Sequence, residues 1–173
     1  MAQFKDTTIN GTLTSPNVNV TGSTTVGGVD LKTKFDLADT LNSKLTKIFG
    51  TYYTLSPSKA AKTNWTISSV TSYLYGNVMF VYFAGTRSAA VSGNITNEDV
   101  VTITIDTGGK VVNAFTATVN SSSTGGNASW QFNADSISGG VVTITVRLSA
   151  VAQSGKEFNA IALMPIRIDP NKY

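Results

Sequence analysis

Three groups of side chains in this 173-residue sequence could do chemistry. The first is Ile105-Asp106-Thr107-Gly108-Gly109, which has the Asp-Thr-Gly order of an aspartic-protease loop. That chemistry needs two aspartates sharing one proton, and Asp135-Ser136-Ile137 does not repeat the motif. The plain reading is a strand that ends in a glycine turn. The second group is the adjacent pair Glu98-Asp99. Neighbours on a strand point to opposite faces, so these two cannot form the paired carboxylates of a glycosidase unaided. The simpler reading is a charged pair opening a strand. Carboxylates and loop carbonyls of this kind could hold calcium; the charged pair remains the simpler reading, and we expect no metal and no cofactor. The third group is Trp130 with Asn127 and Asp135, beside the Ser/Gly-rich stretch 121–127. An aromatic face with amide and carboxylate groups nearby is what a saccharide site uses, so these three are the candidate binding residues. The competing reading of Trp130 is a core residue of a short strand.

The absences are sharper. The chain has no Cys and no His, which excludes disulfides, thiolate metal sites, cysteine nucleophiles and every Ser-His-Asp arrangement. No ordinary proton shuttle for neutral pH remains. The Gly-Gly pairs at 27, 108, 125 and 139 fit neither the Gly-x-Gly-x-x-Gly nor the P-loop pattern and read as turns. What remains for chemistry is carboxylate pairs, Lys and Tyr, and with none of these forming a recognisable site the expectation is a protein that is not an enzyme.

Charge is sparse. Lys and Arg number 13 and Asp and Glu 10, a 13% charged share, about half the usual roughly 25%. The cations are scattered from Lys5 to Lys172, and the loose group Lys32, Lys34, Lys44, Lys47, Lys59 and Lys62 is interleaved with Asp30, Asp36 and Asp39. Nucleic-acid binding asks for a dense basic patch, so none is expected. The start, Met1-Ala2-Gln3-Phe4-Lys5-Asp6, has no apolar region of signal-peptide type. The longest apolar run, Val78–Ala84, is too short to span a bilayer, so no membrane insertion is expected. Six Asn-x-Ser/Thr sequons, at Asn10, Asn19, Asn64, Asn94, Asn120 and Asn127, follow from a composition of 25 Thr, 18 Ser and 14 Asn.

That composition favours strands and turns. Residues 1–29 place Thr7–Ile9 and Thr12–Thr14 around Asn10-Gly11, a hairpin signal, and alternate Val18 and Val20 with Asn17 and Asn19. Strands this short and this poor in apolar residues cannot bury a core alone. Either the zone is disordered or copies of it supply one another's core, and the alternation favours the second. Residues 30–50 read as a helix from Leu31 to Phe49, with Asp30 as N-cap and Gly50 as C′ residue. Leu31, Ala38 and Leu45 take heptad position a, and Lys34, Leu41 and Ile48 take d. Five of six are apolar at coiled-coil spacing, and Leu at a with Ile at d tilts toward three or four strands. An amphipathic helix packed on its own domain fits the same stripe. The expectation here is a bundle between copies, with Leu31, Ala38, Leu41, Leu45 and Ile48 at the trimer interface. Residues 51–63, with Pro57 and small polar side chains, read as a linker. Residues 64–173 carry seven or eight strand-like segments separated by turn signals, the pattern of a β-sandwich or jelly roll. The expected fold is mainly β: a short N-terminal β shoulder (1–29), one short helix forming a trimeric coiled-coil neck (30–50), a linker (51–63) and a β-sandwich/jelly-roll head (64–173).

The order of zones resembles small trimeric fibres of bacteriophages, meaning receptor-binding proteins of tails and baseplates, and head fibres. Thr-Ile-Asn-Gly-Thr-Leu-Thr and Asn-Val-Thr-Gly-Ser-Thr-Thr-Val-Gly-Gly-Val look like their repetitive shoulder, Val29-Asp-Leu-Lys-Thr-Lys-Phe35 like their neck, and Leu74-Tyr-Gly-Asn-Val-Met-Phe-Val81 like the opening of their heads. The resemblance implies a homotrimer in the virion, attached at its N-terminal end to another virion structural protein and facing the host with its head. The function expected on this basis is attachment to the host cell surface through a saccharide. The alternatives are a structural head-fibre, capsid or tail decoration protein without a receptor, and a carboxylate-based carbohydrate-active enzyme.

Overall fold

The computed structural model describes residues 25–26, 29–91, 97–123, 126–151 and 155–173. The described residues are mainly β with one α-helix, and the chain divides into two compact units, Met1–Asn42 and Ser43–Tyr173. The expected hairpin at Asn10-Gly11 and the alternation at Val18 and Val20 lie outside the described residues.

In the first unit β1 (Thr25–Val26) pairs antiparallel with β2 (Val29–Asp30), and the chain turns directly into α1 (Leu31–Gly50). Asp30 caps the helix as its residue type requires. Its carboxylate accepts from the Thr33 backbone N–H at 3.5 Å and from the Thr33 hydroxyl at 2.9 Å. Gly50 is the last helical residue rather than the one after it.

The second unit is built on two five-stranded antiparallel sheets. One has the order β4 (Pro57–Ala61), β7 (Glu98–Asp106), β11 (Val141–Val151), β10 (Gly126–Ser138), β9 (Ala117–Ser123). The other runs β3 (Tyr53–Leu55), β5 (Trp65–Tyr75), β6 (Val78–Val91), β12 (Gly155–Ile168), β8 (Val111–Ala114). Alternation drives the layering. Val101, Ile103 and Ile105 of β7 and Val142, Ile144, Val146 and Leu148 of β11 are buried and face Leu74, Met79, Val81, Phe83 and Met164 of the other sheet in one core.

The reading of 51–63 as a linker is corrected here. β3 and β4 are consecutive strands in opposite sheets, with the chain crossing between them at Ser56. β3 pairs with β5 and β4 with β7, so this segment closes one flank of the two-layered core. Pro57 does not prevent it because it is the first residue of an edge strand, where a missing N–H is tolerated. Lys59 fastens the crossing. Its ammonium donates to the carbonyls of Ile67 at 2.6 Å and Ser68 at 2.8 Å, where β5 has a register irregularity.

The helix end belongs to this unit as well. The Gly76 N–H, in the β5–β6 turn, donates to the Ile48 carbonyl at 3.0 Å, and the Tyr53 hydroxyl donates to the Lys47 carbonyl at 3.2 Å. Two carbonyls that a helix C-terminus leaves without partners are thereby satisfied. Ile48 is only 4% exposed. Its expected place in an interface between copies is corrected: its own chain already covers it.

Candidate functional site

The three expected binding residues do not converge. Trp130 is fully buried. Its ring lies edge-on to Phe83 at 4.9 Å, Phe158 at 5.7 Å and Trp65 at 6.3 Å. Alternation places it there: Trp130 and Phe132 point into the core while Gln131 and Asn133 are half-buried on the outer side. A sugar cannot stack on an indole that solvent does not reach, so Trp130 is a core residue. Asn127 and Asp135 sit eight residues apart on the same strand, which separates them by about 26 Å. The expected loop 121–127 is also shorter than its composition suggested. Ser121, Ser122 and Ser123 pair with Ala128, Asn127 and Gly126 as the end of the β9–β10 hairpin. Asp135 is exposed and accepts a hydrogen bond from the Thr145 hydroxyl.

The Asp-Thr-Gly sequence is a structural clasp. The Asp106 carboxylate accepts from the Gly108 N–H at 2.8 Å. Thr107, 1% exposed, donates its N–H and its hydroxyl to the Gly140 carbonyl at 2.9 and 2.7 Å, and its hydroxyl accepts from the Val111 N–H at 3.3 Å. The two Gly-Gly turns thus lock together. A Cβ on Gly140 would lie 2.4 Å from the Gly109 nitrogen.

The other carboxylates are also engaged. Glu98 accepts from the Trp65 indole N–H at 2.8 Å and forms an ion pair with Arg87 at 3.2 Å. Asp99 forms an ion pair with Arg147 at 2.7 Å. The Arg147 guanidinium is held above its ordinary range first by this hydrogen bond, then by the Asp99 charge, with a smaller contribution from Asp135. Among the described residues no group of three His, Cys, Asp or Glu could hold a metal ion.

Two grooves that sequence reasoning did not find lie beside β3. The first, of about 340 Å³, is lined by Tyr53, Ser56, Asp106 and Lys110 among others. The Lys110 ammonium sits 5.4 Å from the Tyr53 ring centre and 6.0 Å from that of Tyr173, within cation–π range. Burial, and then the neighbouring Tyr53, hold the Tyr173 phenol above its ordinary value. The second groove, of about 270 Å³, is lined by Tyr52, Thr54, Tyr73 and Phe80. Tyr52 is 67% exposed and stacks on Tyr75 with ring centres 4.5 Å apart. Both grooves depend on residues 52–56, and the linker reading of 51–63 hid them.

The helix remains apolar on its open side. Phe35, Leu37, Leu41, Leu45 and Phe49 are all exposed. Among the described residues no helix is long and apolar enough to cross a membrane. Compared with protein-family models, curated proteins and solved structures, the chain finds no match in any of the three.

Proposed function

We propose that this chain is the subunit of a trimeric virion fibre of the bacteriophage kind. In this reading residues 1–29 form the attachment end toward another virion protein, α1 is a coiled-coil neck, and the two-sheeted unit is the head that meets the host surface. The observation that carries it is the uncovered stripe of α1. Leu41 is 56% and Leu45 44% exposed, on a helix whose C-terminal carbonyls are already fixed by the head. A monomer gains nothing from holding leucines half in water on an ordered helix, whereas a bundle of copies buries the exposed halves at about 1 kcal/mol each, roughly half the value for a fully exposed leucine. Ala38, Leu41 and Leu45 are the seam this leaves.

The test is the mass of the full chain by light scattering, which should be three times 18.2 kDa. Leu41→Asp should lower that mass, because three carboxylates would meet on a dry axis. Ser43→Asp, on the outer side of the heptad, should not. A stable monomer at micromolar concentration would refute the fibre reading. A second reading, a structural fibre or decoration protein that binds no receptor, is favoured by the burial of Trp130, which removes the expected saccharide stacker. Adsorption of the full chain to host cells separates the two.

A further inference from the structure

The outer faces of the two sheets differ in kind. On the β4-β7-β11-β10-β9 sheet the outward rows are polar. Gln131, Arg147 and Asp99 lie side by side, as do Asn133, Thr145 and Thr102. On the other sheet three rows cross β5, β6 and β12: Tyr73–Phe80–Leu163, Thr71–Tyr82–Ile161 and Tyr75–Val78–Pro165. No row contains a charge. Burial alternates along β12, so that Ala160, Ala162 and Met164 are buried while Ile161 is 54% and Leu163 56% exposed.

We infer that this aromatic and aliphatic face is where the unit packs against a second copy of the same chain. The inference rests on the multi-copy assembly proposed above and assigns it a second, independent contact. Three observations select a copy as the occupant. The first is size. Phe49, Tyr52, Tyr73, Ile161 and Leu163, at 39–67% exposed, present about 500 Å² together. Half-buried Tyr75, Phe80 and Tyr82 and exposed Pro165 bring the face toward the roughly 800 Å² per partner of a specific interface. The second is composition. Depletion of charge with enrichment in tyrosine and phenylalanine marks the core of permanent interfaces between like subunits. The third is continuity. A Cβ on Gly76 would lie 2.9 Å from Phe49, and the adjacent Tyr75 carries Tyr52 on its ring. The helix end, with exposed Leu45 and Phe49, therefore runs into the sheet face at the β5–β6 turn. A copy of the chain brings a matching stripe for the stripe and a matching face for the face.

The test uses the chain's lack of cysteine. In the full-length protein a single Leu163→Cys probes this face, and a single Thr118→Cys, also exposed, probes the polar one. Mass by light scattering and the rate of maleimide labelling are measured on the same samples. If the face is an interface, Leu163→Cys labels at least tenfold more slowly than Thr118→Cys while the protein is multimeric, and the rates converge on dilution to monomer. A Leu163→Cys protein that folds but stays monomeric while Thr118→Cys assembles supports the same conclusion. Equal labelling rates in an intact multimer overturn the proposal and leave the neck reading standing, with the face open to some other partner. A monomeric parent protein overturns both. Should Leu163→Cys misfold, Ile161→Cys on the neighbouring row gives the same readout.

Discussion

Alanine at Gly139 and alanine at Gly140 should differ greatly in cost, although the residues are neighbours in one turn. Both have left-handed backbones, with φ of +58° and +84°. A Cβ on Gly139 meets nothing within 4 Å among the described residues. Gly139→Ala therefore costs only the left-handed conformation of a non-glycine residue, about 1–2 kcal/mol. A Cβ on Gly140 falls 2.4 Å from the Gly109 nitrogen and 2.7 Å from its Cα. Both neighbours are backbone, so no side chain can swing away, and one turn must move by about 1 Å to restore van der Waals contact. That movement pulls the Gly140 carbonyl from the two donors of Thr107, now at 2.9 and 2.7 Å. Each bond is worth about 1 kcal/mol net, and leaving buried donors unpaired adds about 1–3 kcal/mol.

Gly140→Ala should thus cost about 4–6 kcal/mol in all, some 3 kcal/mol more than Gly139→Ala. Urea unfolding of the two variants at one fixed protein concentration reads the difference, since assembly would otherwise shift the midpoints. For a unit of this size 1 kcal/mol corresponds to roughly 3–5 °C, so melting temperatures should differ by about 10–15 °C. Costs within about 1 kcal/mol of each other would mean that the two glycine turns do not bear on one another. The reading of Asp106-Thr107-Gly108 as a clasp would then fail.

The remaining expectations follow from the sheet edges and the core. A fragment 43–173 should unfold cooperatively by circular dichroism. A fragment 64–173 should not, because it loses both β3 and β4 and leaves β5 and β7 as unpaired edges. Ser72 is fully buried and its hydroxyl has no hydrogen-bond partner among the described residues. Ser72→Ala should therefore raise stability by about 1 kcal/mol, and a lower melting temperature would show that the hydroxyl is satisfied after all.

Much of the two-layered unit was legible because β7 from Val101 to Asp106 and β11 from Val141 to Leu148 alternate strictly. Val101, Ile103 and Ile105 against Thr102 and Thr104 have the period of a strand with one dry face. The same alternation was available at Trp130-Gln131-Phe132-Asn133 and would have placed the indole in the core. The saccharide reading relied on the polar neighbourhood in sequence, whereas a strand separates neighbours onto opposite faces. Residues 53–61 were harder. β3 and β4 are three and five residues long, too short for apolar alternation to stand out from their surroundings, and their strand character comes from the edges of β5 and β7 rather than from their own side chains. The grooves beside Tyr52 and Lys110 were invisible for the same reason: they exist only once β3 is in place.

β6 and β12 show where periodicity alone fails. Val78–Ala84 is apolar at every position, and Phe158–Ile168 nearly so, so hydrophobicity does not say which face is the core. Packing in the fold does. Phe158, Ala160, Ala162, Met164 and Ile166 of β12 point into the core, the two alanines where Trp65, Phe83 and Trp130 already fill it, while Ile161 and Leu163 point outward. Large aliphatic residues on the solvent side add nothing to the stability of an isolated sandwich and lower its solubility. A strand that is apolar on both faces belongs in a sheet covered on both faces. One cover of this sheet is the opposite sheet of the same chain, and the other, on the reasoning above, is a neighbouring copy.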